Sequence, residues 1–166
     1  MEFILFLLVC AGGGWYWYTN NNQITEQDVR NFYQQEQAWL DAGNSKEMCD
    51  AVDEHFSARI TQKNLGGQVI TSDKTKYCAD MEQLFAALKN LNDKMGGGVV
   101  FNQDLNLDKI EISSDKKIAT VAIRSELRMG TESLLMMKIT GEGDETFVKH
   151  NGKVLRLSAD ETASTQ

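Results

Sequence analysis

Hydrophobic positions along the 166 residues change their spacing twice. Phe3 to Ala11 is an unbroken apolar run. From Ile24 onward apolar residues recur every three or four positions, and from Val99 onward they recur every second position. The first pattern suits a membrane-inserted segment, the second amphipathic helices and the third half-buried strands. The helical stretch begins with a clear start signal. Thr25 is placed to cap a helix with Asp28 three residues on, and Ile24 and Val29 are spaced as a hydrophobic staple. Val29, Phe32, Tyr33, Trp39 and Leu40 then form one stripe that ends at Gly43. Asn44 with Glu47 opens a second, short helix that is expected to carry Met48, Cys49, Val52 and Phe56. A brief alternating stretch, Ala58 to Gln62, leads to a loop at Gly66-Gly67. A third helix is expected from about Lys74 to Leu91, with Tyr77, Cys78, Met81, Leu84, Phe85, Leu88 and Leu91 on one face, stopped by Gly96-Gly97-Gly98.

The period-two region predicts a meander. Val99 to Leu107 and Ile110 to Ile112 alternate out of phase, which one extra residue near Asp108-Lys109 would correct, as in a β-bulge that bends the sheet. Strands are expected over Lys117 to Met129, Glu132 to Thr140, Thr146 to His150 and Lys153 to Ser158, with a turn at Gly141 to Asp144. Asn151-Gly152 is a strong two-residue hairpin signal. Three helices followed by strands read as an α+β fold, its helices packed on one face of a bent antiparallel sheet. The expected division is a membrane segment over 1–19, a polar linker over 20–24, a domain over 25–158 and a polar tail over 159–166.

The N-terminal run bears on location. Phe3 and Leu7 represent its aliphatic body, and Trp15 and Trp17 belong to an aromatic cluster of the kind that settles at headgroup level. As a helix, Phe3 to Tyr18 would rise about 24 Å, somewhat short of a hydrocarbon core of about 30 Å. It reads as a retained anchor; cleavage after Ala11, lipidation at Cys10 and a buried core helix are the alternatives. No Lys or Arg stands before Arg30, which permits the following residues to be exported. The expected location is a bacterial-type inner membrane with the domain on its periplasmic side.

Charge and cysteines narrow the chemistry. A net charge of −7 and a pI of about 4.8 disfavour nucleic acid or anionic lipid as partner of the soluble part. Cys49 and Cys78 are an even pair on two expected helices, either disulfide-bonded in an oxidising compartment or two buried thiols. His55 and His150 stand far apart and no Cys-x-x-Cys spacing exists, so neither metal nor cofactor is expected.

The order of elements, closing with Thr146 to Leu157 around Asn151-Gly152-Lys153-Val154, resembles the nuclear transport factor 2-like superfamily (cystatin-like α+β, SnoaL-like) over Thr25 to Ser158. A departure is Leu155, where such domains commonly place tryptophan in the last strand. The resemblance implies a conical space between helices and sheet, and members range from isomerases and dehydratases to binding modules. Tyr33, Trp39, Phe56, Phe101, Val121 and Ile123 are the candidates to line that space. The inward strand positions, Val99, Phe101, Leu105, Val121, Ile123, Leu127 and Met129, include no carboxylate to serve as base, and Asp53 and Asp80 read as solvated. His55 reads as a helix-end residue. Arg124, Glu126 and Arg128 form an alternating face, solvated or offered to a partner. Glu132 to Thr140 is apolar on both sides, so Leu134 and Met136 are expected to be covered, either by another protein or a second copy or by the chain's own helices or a terminal segment. The expected role is a membrane-anchored, exported, non-enzymatic accessory subunit that docks on a membrane complex, with Leu134, Met136, Arg124 and Arg128 facing the partner. The alternative is a binder of a small apolar ligand, or an isomerase- or dehydratase-like enzyme.

Overall fold

The computed structural model describes residues 21–131 and 134–165, apart from the side chains of Leu65 and Phe101, and among these it has three helices and six strands. Their order is α1 (Glu26–Asp41), α2 (Ser45–Asp50), β1 (Val52–Gln62), a 3-10 turn (Lys63–Leu65), β2 (Gln68–Asp73), α3 (Lys74–Lys94), β3 (Val100–Ile112), β4 (Ile118–Thr131), β5 (Leu134–His150) and β6 (Lys153–Thr165). Phe3, Leu7, Trp15 and Trp17, and with them the expected membrane segment, lie outside the described residues. No helix among the described residues is long and apolar enough to cross a membrane.

Local signals set the helix boundaries. The Thr25 hydroxyl accepts the Asp28 N–H while the Asp28 carboxylate accepts the Thr25 N–H, closing the capping box. Ile24 and Val29, the two staple residues, are both fully buried. The Asn44 side chain accepts the Glu47 N–H to start α2, and the Asp73 carboxylate accepts the Lys76 N–H to start α3. Gly96, Gly97 and Gly98 all take positive φ after α3, as a helix stop requires.

The expected short helix through Phe56 is overturned. α2 ends at Asp50, and Val52 and Phe56 are both buried in β1. The residues after Ala51 gain ladder partners on β2 and β6, so tertiary pairing outweighs the local helical spacing. β2, from Gln68 to Asp73, has no local signature; none of its six residues is buried. The expected turn at Gly141 to Asp144 is replaced by one continuous β5 of 17 residues. Gly141 and Gly143 are there for close approach. A Cβ on Gly143 would stand 2.7 Å from the Cα of Glu161 and closer still to the Asp160 carbonyl, so glycine lets β5 and β6 pack at the bend. β6 runs on to Thr165, through residues expected to be a polar tail.

The sheet order is β2-β1-β6-β5-β4-β3. Every neighbouring pair is antiparallel except β1 and β6, which run parallel, so the sheet is mixed rather than wholly antiparallel. The bulge expected near Asp108 is present as a register shift between Leu107 and Lys109. Further shifts at Met129/Gly130 and Thr146/Phe147 add to the bend. Asn151 and Gly152, at φ of 51° and 81°, form the hairpin turn between β5 and β6. The first described residues lie beside that hairpin, where Gly152 N–H donates to the Asn21 carbonyl and Asn151 N–H to the Asn22 side chain.

The core lies between α1 and the sheet, built from Ile24, Val29, Phe32 and Tyr33 against Ala119, Val121, Ile123 and Phe147. Phe147 is completely buried, its ring 4.9 Å from Phe32 and 5.5 Å from Tyr33, both edge-on. Replacing such a ring by alanine costs about 3–5 kcal/mol.

Candidate functional site

Charge, not only hydrocarbon, fills the space between α1 and the sheet. Tyr33 and Glu36 stand three residues apart on the buried face of α1. Glu145 is two residues before Phe147 on β5 and therefore shares its inward face. Arg156 follows the hairpin on β6 and is the hub. Its Nε donates to Glu145 Oε2 at 3.0 Å, and its Nη2 to Glu36 Oε2 at 2.8 Å. The Tyr33 hydroxyl donates to the same Glu145 oxygen at 2.6 Å. The guanidinium also sits 5.3 Å from the Phe32 ring centre and 5.7 Å from that of Phe147. All four polar residues are buried, with 4 % of Glu145 exposed.

One arginine facing two carboxylates leaves an excess negative charge in a place water does not reach. Burial therefore pushes the Glu145 carboxyl up to about 7, with Glu36 and Glu161 adding to the rise and Arg156 and Tyr33 opposing it. Burial raises the Tyr33 phenol far above its ordinary range, helped by the charge on Glu145. Tyr77 of α3, facing the same guanidinium, is pushed up to about 12 by burial. For Arg156 burial opposes the charge, but Glu145 and Glu36 outweigh it and hold the guanidinium protonated. The pairing is self-contained: among the described residues, no buried side-chain nitrogen or oxygen lacks a partner. Chemically the group is a tyrosine and a near-neutral carboxyl in contact, arranged as an acid–base pair and satisfied within the fold.

The expectation that the inward strand positions hold no carboxylate is thus overturned by Glu145, and Glu36 adds a second buried carboxylate from α1. Glu145 escaped notice because a turn was expected just before it; carrying the alternation of β5 back from Phe147 puts it on the inner face. Of the expected cavity residues, Tyr33 belongs to this cluster, and Val121 and Ile123 are buried beside it on β4. Trp39 is half-buried, edge-on to Phe32 at 6.2 Å, and Phe56 packs on Tyr77 at 5.2 Å. Phe101 lies on β3 opposite Met129. Asp53 is buried rather than solvated, its Oδ1 accepting the His55 N–H, and His55 is exposed on β1 rather than at a helix end. Asp80 pairs with Lys76 in solvent. No group of three or more His, Cys, Asp or Glu among the described residues is arranged to hold a metal.

The candidate partner residues divide. Arg124 and Arg128 are exposed and engaged with their own neighbours: Arg124 grips Asp108 with two bonds of 2.6 Å, and Arg128 pairs with Glu126, which also takes Lys138 at 2.9 Å. Leu134, Leu135 and Met136 are bare, exposed by 59 %, 58 % and 41 %. Val100, at 43 %, is joined to them through Gly130, which pairs with Val100 on one side and Leu135 on the other. This apolar end of the sheet is the far end of β5 from the Asn151-Gly152 hairpin. Of the two readings of Cys49 and Cys78, the disulfide is the one formed, joining α2 to α3 with their Cα atoms 4.9 Å apart.

No family model matches the sequence, and no curated relative matches it. Solved structures match the fold. A protein with a cystatin-like fold from Novosphingobium aromaticivorans, described as nuclear transport factor 2-like, is 11 % identical with a TM-score of 0.61, covering 82 % of this chain and 79 % of its own. ActVI-ORFA from Streptomyces coelicolor is 12 % identical at a TM-score of 0.62, over 82 % of this chain and 93 % of its own. A conserved protein from Planctomyces limnophilus is 12 % identical at 0.61, over 85 % and 97 %. The chain therefore has the nuclear transport factor 2-like fold that the order of its elements resembles.

Proposed function

We propose that this chain is a non-enzymatic accessory subunit, held to a membrane by its N-terminal apolar segment, that docks a protein partner on the apolar end of its sheet. The observation that carries the reading is the run Leu134, Leu135 and Met136, three consecutive large apolar residues exposed at one end of β5, Leu134 and Met136 on one face and Leu135 on the other. Exposed apolar surface of this kind marks interaction sites. Position supports a protein rather than lipid as occupant. Asn21 and Asn22 bond to the Asn151-Gly152 hairpin, at the opposite end of β5 from Leu134, so a membrane holding residues 1–19 would lie nearer the hairpin than the apolar end. The interior supports it too, since Tyr33, Glu36, Glu145 and Arg156 satisfy one another. The Cys49–Cys78 bond fits an exported domain, placed on the periplasmic side of a bacterial-type inner membrane.

One observation favours the alternative of chemistry inside the fold. A carboxyl held near 7 with a tyrosine hydroxyl 2.6 Å away is what a proton-transfer site contains. Native mass spectrometry of the full-length protein, extracted in mild detergent from its own membranes, separates the two. The expected result is a stoichiometric partner, a different protein or a second copy, that is lost in Leu134→Asp and Met136→Asp while both variants stay folded. A monomer carrying a small molecule, unchanged by those substitutions, would instead direct attention to Glu145.

A further inference from the structure

We infer that the Cys49–Cys78 disulfide is a redox latch that holds α3 against the rest of the fold. The inference rests on the contacts of α3 itself and not on the docking reading. α1 buries Val29, Phe32, Tyr33 and Glu36, whereas α3, five residues longer, has at most partly buried residues along its 21 positions, Tyr77 near its start among them. Its apolar stripe is only half covered, and Leu84 is 36 % exposed.

What ties α3 down is concentrated in its first turn and a half. Lys74 Nζ donates to the Val52 carbonyl at 2.8 Å, the Tyr77 ring packs on Phe56, and Cys78 is bonded to Cys49 of α2. Past Cys78, among the described residues, the hydrogen bonds and ion pairs of α3 stay within the helix or reach its own exit segment, where Asn92 Oδ1 accepts the Val99 N–H. A groove of about 580 Å³ separates the C-terminal half of α3 from the end of α1, lined by Leu40, Leu84, Phe85, Leu88, Val99 and Val100. The helix then leaves through three consecutive glycines at positive φ. A segment with few buried contacts, fixed at one end and glycine-hinged at the other, is what opens first in a native protein.

Both cysteines are half-buried, so the bond is within reach of a soluble dithiol. Exchange with the dithiol moves two electrons and two protons onto the pair. The Sγ–Sγ bond becomes two thiols, and the reductant closes to its own disulfide. Without the bond, the Lys74 and Tyr77 contacts keep the start of the helix in place, and only a half-covered apolar stripe holds the rest. Opening of the part past Cys78 widens the groove next to Val100.

Hydrogen exchange read by mass spectrometry tests this on the full-length protein carrying Cys10→Ser, so that only one pair can exchange. On adding dithiothreitol, peptides from 79–95 are expected to exchange faster by about tenfold or more, while those from β4 and β6 keep their rates. Cys49→Ala with Cys78→Ala should show the same pattern with no reductant present. Equal acceleration across the whole chain would make the bond a global staple and overturn the latch. Unchanged exchange in 79–95 would overturn it as well.

Discussion

Gly143 illustrates how a single residue can decide the shape of this sheet. It pairs with Ile123 on one side and Glu161 on the other, at the middle of a strand that a glycine ought to weaken. The reason it is tolerated is steric, because an added methyl would meet the backbone of Asp160 and Glu161. Gly141 is less constrained, since its nearest neighbour is the Ser125 hydroxyl at 2.8 Å, a side chain that can rotate away. Gly143→Ala is therefore expected to lose about 2–3 kcal/mol of stability, as overpacking does, and Gly141→Ala clearly less. Urea denaturation of the two variants checks the ordering; equal losses would mean that β-propensity, not the approach of β6, is what the glycines reflect.

Elements show where local pattern suffices. The capping box of α1, the bulge at Asp108 and the Asn151-Gly152 hairpin were all legible, because each is decided by residues within four positions of one another. β6 beyond Ser158 was not. Ala159, Asp160, Glu161, Thr162 and Ala163 have neither an apolar face nor strong strand propensity, yet they pair with β1 on one side and β5 on the other. Their backbone is committed to two ladders, and that decision is made far away in the chain. The site divides in the same manner. Tyr33 could be read from the stripe of α1, and Glu36, three residues on, could have been added to it. Arg156 and Glu145 meet only through the register of β5 on β6. A chain ending at Ser158 is thus expected to lose its cooperative thermal transition in circular dichroism. A truncation that melted like the full chain would return these residues to the status of a tail.

At the scale of the whole molecule the buried cluster sets how stability varies with pH. Glu145 is faced by Tyr33 and Glu36 from α1, by Tyr77 from α3 and by Arg156 and Glu161 from β6. Its carboxyl lies at about 7 in the fold and 4.5 when solvated, so the folded state binds the proton more tightly than the unfolded one. That contribution is fully present below 4.5 and is lost as the pH rises through about 7, with a slope on the order of 1 kcal/mol per pH unit. Asp28 acts in the opposite sense: burial works to raise it, but bonds from Lys149 and Thr25 prevail and lower it below 3.8. Its contribution is present above 3.8 and lost at more acid pH, so the two effects leave a maximum of stability near pH 4, between the two solvated values. Glu145→Gln keeps an acceptor for the Tyr33 hydroxyl and removes the titration. The variant should be flat between pH 4.5 and 7, where the parent declines, and should keep the same acid limb. Urea midpoints at half-unit steps of pH measure both curves. A variant that declined in parallel with the parent would show that Glu145 stays ionised throughout, its charge carried by Arg156 alone.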